Sequence, residues 1–103
     1  MNDFICVGKV IEKPELQKTN TGIDFCNLIV ASDKPFPNTD GKFEKEDFSI
    51  TCWKNVAEDV MKKIKEGMSV EIKGRISANN YRSNDDKFYF KTDLIAERVS
   101  ALE

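Results

Sequence analysis

Apolar and polar residues alternate without a break through "MSVEIKGRIS". Met68, Val70, Ile72, Gly74 and Ile76 fall on one side, and Ser69, Glu71, Lys73, Arg75 and Ser77 on the other. A period of two predicts a strand with one wet face. The period changes just upstream. In "NVAEDVMKKIKEG", Val56, Val60 and Ile64 recur at intervals of four with Ala57 and Met61 beside them. That spacing predicts a short amphipathic helix, with Gly67 as its stop. Three β-rich stretches precede the helix, "DFICVGKVIE", "IDFCNLIVAS" and "KEDFSITCW", and one more, "KFYFKTDLIAERV", follows the alternating strand.

Turn chemistry joins these pieces. "KTNTG" around Asn20 and Gly22 links the first two strands, "NTDG" supplies an Asp-Gly turn ending at Gly41, and "SNDD" at 83–86 turns the last hairpin. Three strands, a helix, then two strands is the element order of an all-β OB-fold, a five-stranded Greek-key barrel with one helix between strands 3 and 4. Gly8, inside the first strand, suits the bend that lets one strand serve both halves of such a barrel, although an isolated glycine in an edge strand would read the same way. At 103 residues the chain is expected to be one domain, residues 1–103.

Charge adds little at this level. Sixteen Lys and Arg against eighteen Asp and Glu leave a net charge of −2, so a polyanionic partner would require the cations to be sorted onto one face. No apolar run approaches a membrane span and no signal peptide opens the chain, which predicts a cytoplasmic protein that does not enter a membrane. Cys6, Cys26 and Cys52 lie among strand formers without metal-ligand spacing, and the chain has no histidine. They read as small core residues, so no metal and no cofactor is expected. Ser-His and Cys-His catalysis is excluded with the histidine, and Asp85 with Asp86 reads as a solvated turn. The chain is not expected to be an enzyme.

Aromatic placement changes the picture. Phe36 lies between Pro35 and Pro37 in a polar loop, and Tyr81 sits in "SANNYRSNDDK"; neither can be buried by its own segment. Lys34 and Lys42 flank Phe36, Lys54 follows Trp53, and Arg82 follows Tyr81. Rings interleaved with cations are what a single-stranded nucleic acid requires, since bases stack on the rings and cations follow the phosphates. The two loop phenylalanines then part company: Phe36 is read as a stacking platform held out by its prolines, and Phe43 as packing at the hairpin's return.

Over nearly its whole length the sequence resembles the DNA-binding domain of the bacterial single-stranded DNA-binding protein family. The resemblance is carried by "MNDFICVGKVIEKPEL" with Asn2, Gly8 and the Pro14-Glu15 pair, by "NLIVAS" followed by Phe36, by "WKNVAE", by "KEGMSVEIKGRI", and by Tyr81 after that strand. It implies a sequence-tolerant binder of single-stranded DNA that works as a homo-oligomer, a tetramer by resemblance with a dimer as the alternative. It also implies stacking at Phe36, Trp53, Tyr81 and Phe48. The last departs from the family's spacing: it stands five residues before Trp53 where the family usually has six. With a side-chain period of two, Phe48 turns to the opposite face unless a bulge compensates, and a core position is its competing reading.

The cations expected on the phosphate path are Lys34, Lys42, Lys54, Arg75, Arg82, Lys87 and Lys91. Ser77, Ala78, Asn79 and Asn80 stand where the family commonly places basic residues, which predicts weaker binding and a shallower salt dependence. The sequence stops at Glu103, so recruitment of replication proteins through an acidic tip is not expected. Two other functions share the fold: a primosome-like protein-interaction module with weak nucleic-acid binding, favoured by the acidic balance, and an RNA-binding OB domain.

Overall fold

A computed structural model describes residues 1–12 and 14–102; the expectation about an absent tail beyond Glu103 lies outside the described residues. The elements are β1 (Phe4–Val10), β2 (Gln17–Lys18), β3 (Asp24–Asp33), β4 (Lys45–Trp53), α1 (Lys54–Lys63), β5 (Ser69–Ala78), β6 (Tyr81–Arg82), β7 (Phe88–Tyr89) and β8 (Thr92–Ala101). The long strands pair in the order β1-β5-β8-β4-β3, and β1 pairs with β3 at its far end. That second pairing closes the ring. The β4–β8 pair is parallel and the other pairs are antiparallel. Five long strands closed in this order, with the helix between the third and fourth of them, make an OB-fold barrel.

The alternating patterns determine what the barrel holds. Val10, Cys26, Leu28, Val30, Ile50, Cys52, Val70 and Ile72 point inward and are buried, and α1 closes one end with Ala57 and Val60. Among the described residues the buried set is wholly apolar. Each fully buried aliphatic side chain contributes about 1.5–3 kcal/mol, so Leu28→Ala, at the barrel's centre, should cost about 2–5 kcal/mol. Cys26 and Cys52 face each other across β3 and β4 as core thiols. Contact with Cys26, together with burial, pushes the Cys52 thiol well up, so it stays protonated and behaves as an apolar group. Cys6 is only half-buried, its thiol raised by burial and by nearby Glu46.

Gly8 is the bend that the sequence suggests. It lies where β1 leaves β5 for β3, and a Cβ there would meet the Ala31 carbonyl oxygen at 2.5 Å. Gly74 is tighter still, since a Cβ would run into the Ile95 carbonyl and the Phe4 ring. Next to it, β8 carries a bulge: Lys73 pairs with Arg98 and Gly74 with Ala96, leaving Glu97 over. The extra residue lets Ala96 and Val99 both face the interior despite their odd spacing.

Several boundaries differ from the expectation. Ile76, assigned to the buried side of β5, is exposed: β1 begins opposite Gly74, and on that edge beyond it the Asn2 side chain accepts from the Ile76 N–H at 2.7 Å in place of a strand. Helix α1 ends at Lys63, four residues before Gly67. Ile64 is already extended, and Gly67, at φ 89°, instead makes the turn into β5, its N–H bonded to the Val10 carbonyl. "KTNTG" joins β3 not to β1 but to the two-residue β2. "KFYFKTDLIAERV" is two elements, because Phe88–Tyr89 leaves the barrel to pair with Tyr81–Arg82.

Candidate nucleic-acid interface

The outer face of β3 and β4 is set by an unbroken antiparallel ladder from Phe25 opposite Trp53 to Asp33 opposite Lys45. Alternation turns Phe25, Asn27, Ser49, Thr51 and Trp53 outward. Phe25 and Trp53, paired across the ladder, pack their rings 5.1 Å apart at 37°. Beside them, the Thr51 hydroxyl donates to Asn27 Oδ1 at 3.1 Å. Together with Lys91, Thr92, Asp93 and Leu94 from the start of β8, these residues line a groove of about 530 Å³. Thr51 also pairs with Ile95, and Ile95 with Arg75, so Arg75 continues the same outward row across β8 onto β5.

At one end of the groove stands an arm. β6 and β7 form a separate two-stranded ribbon in which Tyr81 pairs with Tyr89 and Arg82 with Phe88. Its root is tied to the barrel by Asn79, whose N–H bonds to the Lys91 carbonyl and whose amide donates to Asp93 at 3.2 Å. The Tyr81 and Tyr89 rings stack 5.2 Å apart at 19°. The tip folds on itself: Arg82 bonds to Asp86 at 2.9 Å, Lys87 lies 3.8 Å from Asp85, and Ser83 donates to Asp85, holding that carboxyl below the usual carboxylate range. Asp86 sits at φ 65°, a left-handed position that Asp tolerates better than most residues.

Phe36 projects from the 34–44 loop, 79% exposed. Asn38 organises that loop, its side chain accepting from Asp40 and Lys42 while its own N–H bonds to the Lys42 carbonyl. Because these bonds fold the loop without an apolar centre, Phe43 remains 57% exposed and does not pack at the hairpin's return as its position suggests. The loop leaves the far end of the ladder from Trp53. Eight steps along β3 separate those ends, roughly 26 Å at the rise of a strand. Phe36, Lys34 and Lys42 thus lie on a loop apart from the groove that holds Trp53 and Lys91 and from the Tyr81 arm rooted beside it.

Phe48 belongs to neither the loop nor the groove. The β3–β4 ladder has no bulge, so the five-residue interval from Trp53 turns Phe48 to the interior side with Ile50 and Cys52, where it packs against the core. Its placement therefore does not fit the stacking position expected of it. Among the described residues Lys34, Lys42, Lys54, Arg75 and Lys91 enter no ion pair, whereas Arg82 and Lys87 are partnered within the arm. Lys54 begins α1 in the left-handed region, φ 51°. The two rings that sequence reasoning missed, Phe25 and Tyr89, lie inside β-rich runs where nothing local separates a packed ring from a presented one.

A closed five-stranded barrel with paired rings on the face of its second and third long strands, and an aromatic arm between its last two, has the form of an oligonucleotide-binding OB domain. The model of the single-strand binding protein family matches residues 1–102, and the chain belongs to that family. It is similar to Single-stranded DNA-binding protein 3 of Listeria innocua, 33% identical over all 103 residues and 64% of that protein. Similarity to Single-stranded DNA-binding protein 2 of Listeria monocytogenes is 32% over the whole chain and 64% of the relative. For the Single-stranded DNA-binding protein of Halalkalibacterium halodurans it is 32%, over the whole chain and 61% of the relative. The chain thus spans somewhat under two thirds of the length of these relatives.

Proposed function

We propose that this chain binds single-stranded DNA with little sequence preference, as one binding domain, and shields it during replication, recombination or repair. The observation that carries the reading is the pair of ring platforms, Phe25 with Trp53 and Tyr81 with Tyr89, on the groove face and the arm beside it. Bases stacked on Trp53, Tyr81 and, at the far end of the ladder, Phe36 would contribute about 1–3 kcal/mol each. Every base has a π-face, which is why such binding tolerates sequence. Lys54, Lys91 and Arg75 supply the phosphate path around the groove, Arg82 and Lys87 on the arm, and Lys34 with Lys42 around Phe36. A cytoplasmic location accompanies this role.

Association of copies is part of the same reading. Ile5 and Val7 stand on the outer side of β1, 70% and 50% exposed, an apolar pair that a second copy would cover. A homotetramer is the proposed state, to be read by light scattering.

Trp53 is the only tryptophan, so its fluorescence reports the proposed site directly. Titration with oligo-dT should quench it saturably, with duplex DNA giving no response. An unchanged signal, together with no binding of a labelled oligonucleotide, would overturn the reading.

A further inference from the structure

The arm has two faces, and the Tyr81–Tyr89 stack occupies only one. Strand alternation places Arg82 and Phe88 on the other, where the Arg82 guanidinium lies 5.9 Å from the centre of the Phe88 ring. Phe90 meets Phe88 edge to face, 5.0 Å between ring centres. Phe90 is the barest ring among the described residues at 82% exposed, and Phe88 is exposed by half, at 51%. The backbones of β6 and β7 approach each other and no other strand, nor α1. The barrel therefore does not cover this second face.

We propose that Phe88, Phe90 and Arg82 form a second stacking surface for single-stranded DNA, so that the bound strand passes around both sides of the arm. The inference rests on the function proposed above. Size selects the occupant. A stable protein interface buries about 800 Å² per partner, far more than two rings on a two-residue strand can supply, whereas a base needs one ring. Charge agrees: residues 79–91 carry Arg82, Lys87 and Lys91 against Asp85 and Asp86, a net of +1 in a chain whose total is −2. The Arg82 guanidinium, already beside the Phe88 ring, meets the phosphate of a nucleotide stacked there by exchanging its Asp86 partner for it.

The test is a Phe88→Ala, Phe90→Ala double variant, with a Phe88→Trp, Phe90→Trp variant as the conservative control. Both are titrated with a series of labelled oligo-dT lengths beside the unsubstituted chain, and circular dichroism confirms the barrel in each. Short oligomers, which fill only the groove and the tyrosine face, should bind all three alike. For long oligomers the alanine variant should level off at an affinity about tenfold or more weaker, and the tryptophan variant should restore it. Identical length dependence in all three, with oligo-dT bound, would overturn this inference alone. The same result with weaker self-association of the alanine variant would also overturn it and assign the rings to a second copy. Failure of the unsubstituted chain to bind any length would remove this inference and the proposed function together.

Discussion

Phe25 and Trp53 are direct partners across the β3–β4 ladder, and their rings lie 5.1 Å apart on the outer face, immediately above the buried Cys26–Cys52 pair. The thiols fill the barrel while the rings cover its outside, so one two-residue step along each strand serves both core and surface. Phe25 supports Trp53 from the side and limits the orientations open to the indole.

Phe25→Ala should therefore weaken oligo-dT binding roughly tenfold, the scale of one lost stacking contact, although Phe25 itself need not touch DNA. Trp53 fluorescence in the free protein should shift toward that of a more solvated indole. Unchanged affinity with the same emission shift would show that the orientation of Trp53 does not limit binding.

Asp86→Asn should strengthen binding. Arg82 is held by Asp86 in the free arm, and removing that carboxylate releases the guanidinium for phosphate, while Asn keeps the tolerance for left-handed φ. Arg82 no longer has to break an ion pair before it meets the strand, so oligo-dT affinity should rise several-fold. An affinity equal to that of the unsubstituted chain would indicate that Arg82 stays off the backbone of the strand.

Gly8→Ala and Gly74→Ala test the closure of the barrel. Each added methyl meets backbone, which cannot step aside as a long side chain can. A loss of about 1–3 kcal/mol is expected for Gly8→Ala, and more for Gly74→Ala. In a domain of this size that lowers the melting temperature by about 4–8 °C per kcal/mol. Equal melting temperatures for Gly8→Ala and the unsubstituted chain would mean that β1 and β3 part there without cost.

Lys54 permits a separation of charge from strain. Lys54→Gly and Lys54→Ala both remove the cation, but only glycine relieves the left-handed backbone. By urea denaturation the glycine variant should be about 1 kcal/mol more stable than the alanine variant. Their oligo-dT affinities should fall together if Lys54 acts through its charge.

Local periodicity determined much of this protein without coordinates. The alternation of residues 68–77, the four-residue spacing of Val56, Val60 and Ile64, and the glycine turns are properties of short segments, and they establish the strands, the helix and the order that makes an OB-fold. The isolation of Phe36 between prolines and of Tyr81 among polar residues was local too, and both rings are exposed. The tertiary structure decided what depends on register. Phe48 faces inward because the ladder beside it has no bulge, and Ile76 is exposed where the pairing of β1 with β5 has ended. The ring pairs are contacts across strands, as with Phe25 and Trp53, twenty-eight positions apart. No pattern within either segment encodes its partner, because a side chain's neighbours across a sheet are set by how the whole barrel closes.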